Sequence, residues 1–320
     1  MNATELIKGP EYNFLRNNSD LKNIIYLTLS GSRGYGTNNE NSDADLRGVL
    51  LEDKKYLFGL TSFEQFEDLQ TDTVIYGLKK FVRLCAEANP NALELLGTEE
   101  DCFAVITEKG KILRENAELF LSARVITSFG NYATAQLRRL QNALCHDSLG
   151  EREKLKHLRN ALSAQLEHFK RTYTSFDGGA IKIYTDGDVL KFDVNLKNYP
   201  INDFIGIYSE LSNTVKTYNK LNHRNNKKDD ARLFKHAMHL IRLLITGTDI
   251  LNGKGIITKR NAERNFLMDL RGGNYRFDEI FVLANEYQEK FEKAANATKL
   301  PREPDMRRIE ELLMRFYAEN

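Results

Sequence analysis

The chain has 320 residues, 41% hydrophobic and 28% charged, with a formal net charge of +1 and no tryptophan. This is the composition of a globular protein long enough for two domains or one large one, and it counts against a basic nucleic-acid-binding module with clustered stacking aromatics. No apolar run reaches the length of a membrane span and MNATELIKGPEYN lacks the basic-then-apolar order of a signal peptide, so no membrane partner and a cytoplasmic location are expected. Cys85, Cys102 and Cys145 are odd in number, far apart and set in apolar or helical surroundings, which points to reduced, structural thiols rather than a disulfide framework or a zinc site.

In chain order, residues 11–20 read as a short entry helix and 23–30 as a first strand. Residues 28–51, TLSGSRGYGTNNENSDADLRGVLL, continue through a glycine-rich turn at Gly31-Ser32 and a polar connection. A second strand over 43–51 follows, read as a buried edge, and it carries Asp43 and Asp45. Residues i and i+2 of a strand share a face, so the two carboxylates are expected to converge. Converging carboxylates suit Mg²⁺ or Mn²⁺, hard ions usually held by one or two carboxylates together with substrate phosphates. A turn containing Gly31, Gly34 and Gly36 lets the main chain approach such a ligand, and Ser32 adds a hydroxyl donor.

The segment DTVIYGLKKFVRLCAEANPN has strand character over 72–76 and then apolar Leu78, Phe81, Val82 and Cys85 at helical spacing, with a stop at Asn89-Pro90. Helices are expected at 111–121, 122–145 and 151–172. Gly178-Gly179 and Asp186-Gly187 punctuate short apolar runs at 174–202, which reads as a β-hairpin insertion. Helices return at 203–221, 229–247, 259–270, 276–296 and 304–318. In the helix over 229–247, Lys235, His239 and Arg242 stand at i, i+4 and i+7. That cationic stripe either faces a triphosphate or is a solvated surface. Two cation-rich runs, 223–236 and 299–308, stand out against the near-zero net charge. A phosphate-binding G-x-x-x-x-G-K-[ST] loop is absent, the nearest string being Gly253-Lys254-Gly255. GSRGYG is followed by a strand rather than the helix a dinucleotide fingerprint opens.

Gly-Ser, a spacer of about a dozen residues and Asp-x-Asp resemble the nucleotidyltransferase superfamily typified by DNA polymerase β. NPNALELL at 89–96, KHAMHLIRLL at 235–244 and LPREPD at 300–305 are similar to the predicted bacterial and phage nucleotidyltransferases that include the YcgL-type proteins. The resemblance implies an α+β protein: an N-terminal polymerase β-like α/β domain over 1–105, and a mostly helical domain over 106–320 with the β-insertion near 174–202. It implies a nucleotidyltransferase that moves an NMP from an NTP, expected to be ATP, to an acceptor hydroxyl with release of pyrophosphate. Asp43, Asp45 and a third carboxylate would hold Mg²⁺ or Mn²⁺, the third being Asp72 or, in the alternative, Asp193. Gly31, Ser32, Arg33, Lys235, His239 and Arg242 would bind the nucleotide. The acceptor is RNA, a protein or a small molecule, and the different-class alternative is a non-catalytic nucleotide- or RNA-binding regulator of the same fold.

Overall fold

A computed structural model describes residues 2–40, 42–144, 151–173, 175–177, 179–187, 189–221 and 230–318. Cys145, Gly178 and the 223–229 part of the first cationic run lie outside the described residues. The chain forms two compact units, residues 1–137 with 234–320, and residues 138–233. A functional division at residue 105 stays a proposal about which segments carry the nucleotide chemistry.

The first unit is built on a five-stranded sheet of β1 (Ile24–Leu29), β2 (Leu46–Leu50), β3 (Gln65–Asp68), β4 (Thr73–Gly77) and β5 (Phe103–Ile106), in the order β3-β4-β2-β1-β5. The pair β2 and β4 is parallel and the other pairs are antiparallel. Strand β1 is buried on both faces from Ile25 to Leu29, which is why its sequence is apolar without alternation. The second strand departs from expectation twice. It begins at Leu46, so Asp43 and Asp45 stand on the loop that leads into it. It also lies in the middle of the sheet rather than at an edge.

The helix Leu78–Ala86 buries the four apolar positions Leu78, Phe81, Val82 and Cys85 expected from their spacing. Asn89-Pro90 does more than stop it. The Asn89 side chain accepts hydrogen bonds from the backbone N–H of Asn91 (3.0 Å) and Ala92 (3.3 Å), and Pro90 takes the first helical position, so the pair opens a second helix, Pro90–Leu96. The entry segment is a set of short turns, Pro10–Tyr12, Phe14–Asn17 and Ser19–Leu21, instead of one helix. Strands β3 and β5 were not expected. Leu27, Leu29, Leu46, Leu50 and Ile75 form the core of the sheet with Tyr12 and Leu21 from the entry segment.

In the second unit the helices Glu151–Thr172 and Ile201–Leu221 accompany a hairpin of β6 (Ile181–Asp186) and β7 (Val189–Val194), turned at Asp186-Gly187 as the sequence indicates. Phe169, Phe176, Ile181 and Ile207 are its core. The remaining long helices are Arg124–Leu144, Asp230–Leu251, Phe277–Ala297 and Met306–Ala318, with the shorter Arg264–Gly272 between them. Among the described residues no helix is long and apolar enough to cross a membrane.

Candidate active site

Strand β1 ends at Leu29, and Ser30 is tied to the acidic loop by its N–H donating to the Asp45 carbonyl at 2.8 Å. The chain then makes a single helical turn, Gly31–Gly34. Gly31 has φ +56, and a Cβ there would overlap Asp45 Oδ2, so the carboxylate occupies the space where any other residue would place its side chain. The glycine of the Gly-Ser motif is required on both counts.

The parallel register pairs Leu46 with Thr73. Asp45 and Asp72 therefore enter adjacent strands at the same level, each one residue before its strand, and their carboxyls share a hydrogen bond. Burial, with the Asp72 carboxyl beside it, pushes Asp45 up to about 6, against the opposing pull of Arg47 and Lys235. The hydrogen bond from Asp45, with Arg47 behind it, holds Asp72 below the usual carboxylate range. The two carboxyls behave as a coupled pair that accommodates one negative charge more readily than two. Asp72 lies in the left-handed region at φ 46. Arg47 clasps it there, donating to its backbone carbonyl and, at 2.9 Å, to its carboxylate.

These groups line a cavity of about 370 Å³ whose walls include Ser30, Gly31, Tyr35, Asp45, Arg47 and Asp72. Asp43 is exposed and not part of that lining; its loop is shaped by Arg33, which donates to the carbonyls of Ser42 (2.8 Å) and Asp43 (3.3 Å). Ser32 is buried inside the turn, its carbonyl accepting from Thr37 N–H at 2.8 Å. Lys235 is exposed and acts electrostatically on both Asp45 and Asp72. Burial pushes His239 down to about 3, with Arg242, Lys235, His236 and Arg271 adding to the effect, so its imidazole is neutral. Arg242 is buried in an ion pair with Glu94 and stacks over the Tyr35 ring, 3.6 Å from its centroid, while Tyr35 donates to the other Glu94 oxygen at 2.7 Å. Asp193 stands on β7, where its carboxylate accepts from the Tyr184 hydroxyl at 3.3 Å.

Sequence reading missed Arg47, Tyr35 and Glu94. A lone glutamate inside the apolar run ALELL was the available signal for the last. It also missed a clamp on the acidic loop from the C-terminal part of the chain. Arg260 N–H donates to the Tyr35 carbonyl (3.1 Å), Arg264 to the Gly36 carbonyl (2.9 Å), and Arg271 to the Thr37 carbonyl and to Ser42 Oγ (3.3 Å).

Among the described residues no three His, Cys, Asp or Glu side chains form a ready metal cage. The carboxylate pair beside an open cavity nonetheless fits Mg²⁺, whose remaining positions are normally filled by water and phosphate oxygens.

A family model described as RlaP, RNA repair pathway DNA polymerase beta family, matches residues 12–166. That range takes in the whole sheet and both Asp45 and Asp72, and leaves Lys235, His239 and Arg242 outside it. A curated relative, the uncharacterized protein YcgL of Bacillus subtilis (strain 168), is 27% identical over 122 residues, 36% of this chain and 46% of the relative. The match thus spans less than half of that relative's length. No solved structure matches the chain. By motif and by family model alike, residues 12–166 are similar to the polymerase β-like nucleotidyltransferases.

Proposed function

We propose that the protein is a metal-dependent nucleotidyltransferase that moves an NMP from an NTP, preferentially ATP, to an acceptor hydroxyl on RNA, releasing pyrophosphate. The observation that carries this reading is the register of β2 and β4, which sets Asp45 and Asp72 side by side against the Gly31 turn at the mouth of a polar cavity. The RNA acceptor is supported by the family description.

In this reading Asp45 and Asp72, with Asp43 two residues away on the same loop, hold Mg²⁺ or Mn²⁺. When bound, the metal supplies Lewis-acid stabilisation of charge on the phosphoryl oxygens and lowers the pKa of the acceptor hydroxyl. Arg47 fixes the orientation of Asp72 through its two contacts. The 31–36 backbone and Ser32 receive the β- and γ-phosphates, with Arg33 ordering the loop and Lys235 contributing positive charge. Arg242 and the neutral His239 support that wall from within, Arg242 by way of Glu94 and Tyr35. Catalysis of this kind is mostly positioning and electrostatic stabilisation.

The test is incubation of the protein with each α-labelled NTP, Mg²⁺ or Mn²⁺, and RNA bearing free 3′ hydroxyls, alongside a lysate. Label in RNA that disappears in Asp45→Asn and Asp72→Asn variants supports the reading. Label in protein or in a small molecule moves the acceptor. Bound NTP without transfer under any condition would leave a nucleotide-binding regulator of the same fold.

A further inference from the structure

Two elements besides the acidic end line the cavity. On β4, Val74 and Tyr76 share a face beyond Asp72, and at about 3.3 Å per residue this wall extends about 13 Å from Asp72 to Tyr76. Asn91, Glu94, Leu95 and Thr98, which also line the cavity, fall at i, i+3, i+4 and i+7 along and just past the helix Pro90–Leu96, so one helical face supplies another part of the wall.

Most polar groups on these walls are already used within the protein. Glu94 has one oxygen on Arg242 and the other on Tyr35. The Thr98 hydroxyl donates to the Leu95 carbonyl at 2.9 Å and meets the Tyr26 hydroxyl, and the Thr258 hydroxyl donates to the Glu94 carbonyl at 2.8 Å. Two groups differ. Among the described residues the Asn91 carboxamide and the Tyr76 hydroxyl have no hydrogen-bond partner, and the Asn91 side chain is exposed to the cavity. Glu94, Thr98 and Thr258 thus form a satisfied scaffold, and Asn91 is the amide left to meet a ligand.

We infer that Asn91 is the residue that reads the base of the bound nucleotide, and that the base is adenine. This rests on the nucleotide-transfer reading of the acidic end. A carboxamide offers one acceptor and one donor side by side, the complement of an adenine edge that presents an amino group next to a ring nitrogen. Val74 and Leu95 supply apolar surface for the base and sugar between that edge and the phosphates.

The experiment is calorimetric binding of the α,β-methylene analogues of ATP, GTP, CTP and UTP, which cannot transfer an NMP, to the full-length protein with Mg²⁺. Wild type is expected to favour the adenine analogue by about tenfold or more, the discrimination of one bidentate contact. Asn91→Ala removes that preference and leaves affinity for the other three unchanged. Asn91→Asp moves it toward guanine, because a carboxylate only accepts and the guanine Watson–Crick edge presents two adjacent donors. Because the Asn91 side chain has no hydrogen-bond partner among the described residues, both variants are expected to melt with the wild type, which serves as the folding control. Equal loss for all four analogues, or no change on substitution, overturns the inference. Binding that depends on Asp45 and Asp72 but ignores the base and Asn91 sinks this inference alone; no binding of any analogue to wild type sinks it together with the transfer reading.

Discussion

Asp45→Asn is expected to stabilise the protein at neutral pH while ending its activity. A carboxyl raised in the folded state favours folding in its protonated form, so its contribution is fully present below the ordinary value of 3.8 and is lost as pH rises through about 6. The gap of about two pH units corresponds to about 3 kcal/mol at about 1.4 kcal/mol per unit. The group is partly open to solvent and Asp72 shifts the opposite way, which reduces the net cost at pH 7.5 to about 1–2 kcal/mol. Asparagine keeps the shape and the hydrogen bond to Asp72 and removes the charge. Urea and thermal unfolding of both proteins at intervals from pH 3.5 to 8 should show the variant ahead by a few degrees at neutral pH, converging with wild type below about pH 4. Millimolar Mg²⁺ should narrow the difference by raising wild type alone. A variant less stable than wild type at pH 7.5, or a gain that persists unchanged to pH 3.5, would refute the coupled-carboxylate account.

Gly31→Ala should cost about 1–3 kcal/mol in chemical denaturation, since the new methyl overlaps Asp45 at a φ of +56; a change below about 0.5 kcal/mol would mean the turn is not held as described. Arg242→Met should cost about 3–5 kcal/mol by stranding the buried Glu94 carboxylate, with most of it recovered in the Glu94→Gln/Arg242→Met double variant, and additive losses in urea unfolding would argue against the pair. Lys235→Gln should weaken NTP binding by about 1–2 kcal/mol while barely affecting a monophosphate, so equal loss for both ligands would place the lysine elsewhere. Asp72→Asn should lower turnover by orders of magnitude and Asp193→Asn should do little; the opposite ranking in single-turnover assays would move the third carboxylate to β7.

The parts of the molecule legible in the sequence are those whose cause is local. The helix over 78–86 follows from the spacing of its apolar residues, the hairpin from Asp186-Gly187, and the acidic motif from its own residues. Strand β3 is the polar string QFED on the sheet edge, and β5 is the four-residue run FAVI, too short to distinguish from helix before its partner β1 is known. The start of β2 was misplaced because alternation alone does not reveal that Arg33 holds the carbonyls of Ser42 and Asp43 outside the ladder. Asp72 is expected from its place in the strand pattern over 72–76, and it stands one residue before β4. What sets its carboxylate against Asp45 is the parallel register, a long-range fact no local pattern contains. The stripe Lys235, His239 and Arg242 was visible as spacing, but burial divides it into an exposed lysine, a neutral histidine and an arginine engaged by Glu94.

The clamp from Arg260, Arg264 and Arg271 sets a timetable for the site. Thr37 and Arg271 are 234 positions apart. At about 5–20 residues per second, a ribosome delivers the arginine roughly 10–50 s after the loop it secures. The strands of the five-stranded sheet all lie before residue 107 and can pair early, whereas the acidic loop waits for the segment over 260–271. A product cut short at residue 166 would contain every carboxylate of the motif and none of the three anchors, the Arg260 backbone N–H and the Arg264 and Arg271 guanidinium groups. Until residues 260–271 have been made, the carboxylates are present without the contacts that hold their loop.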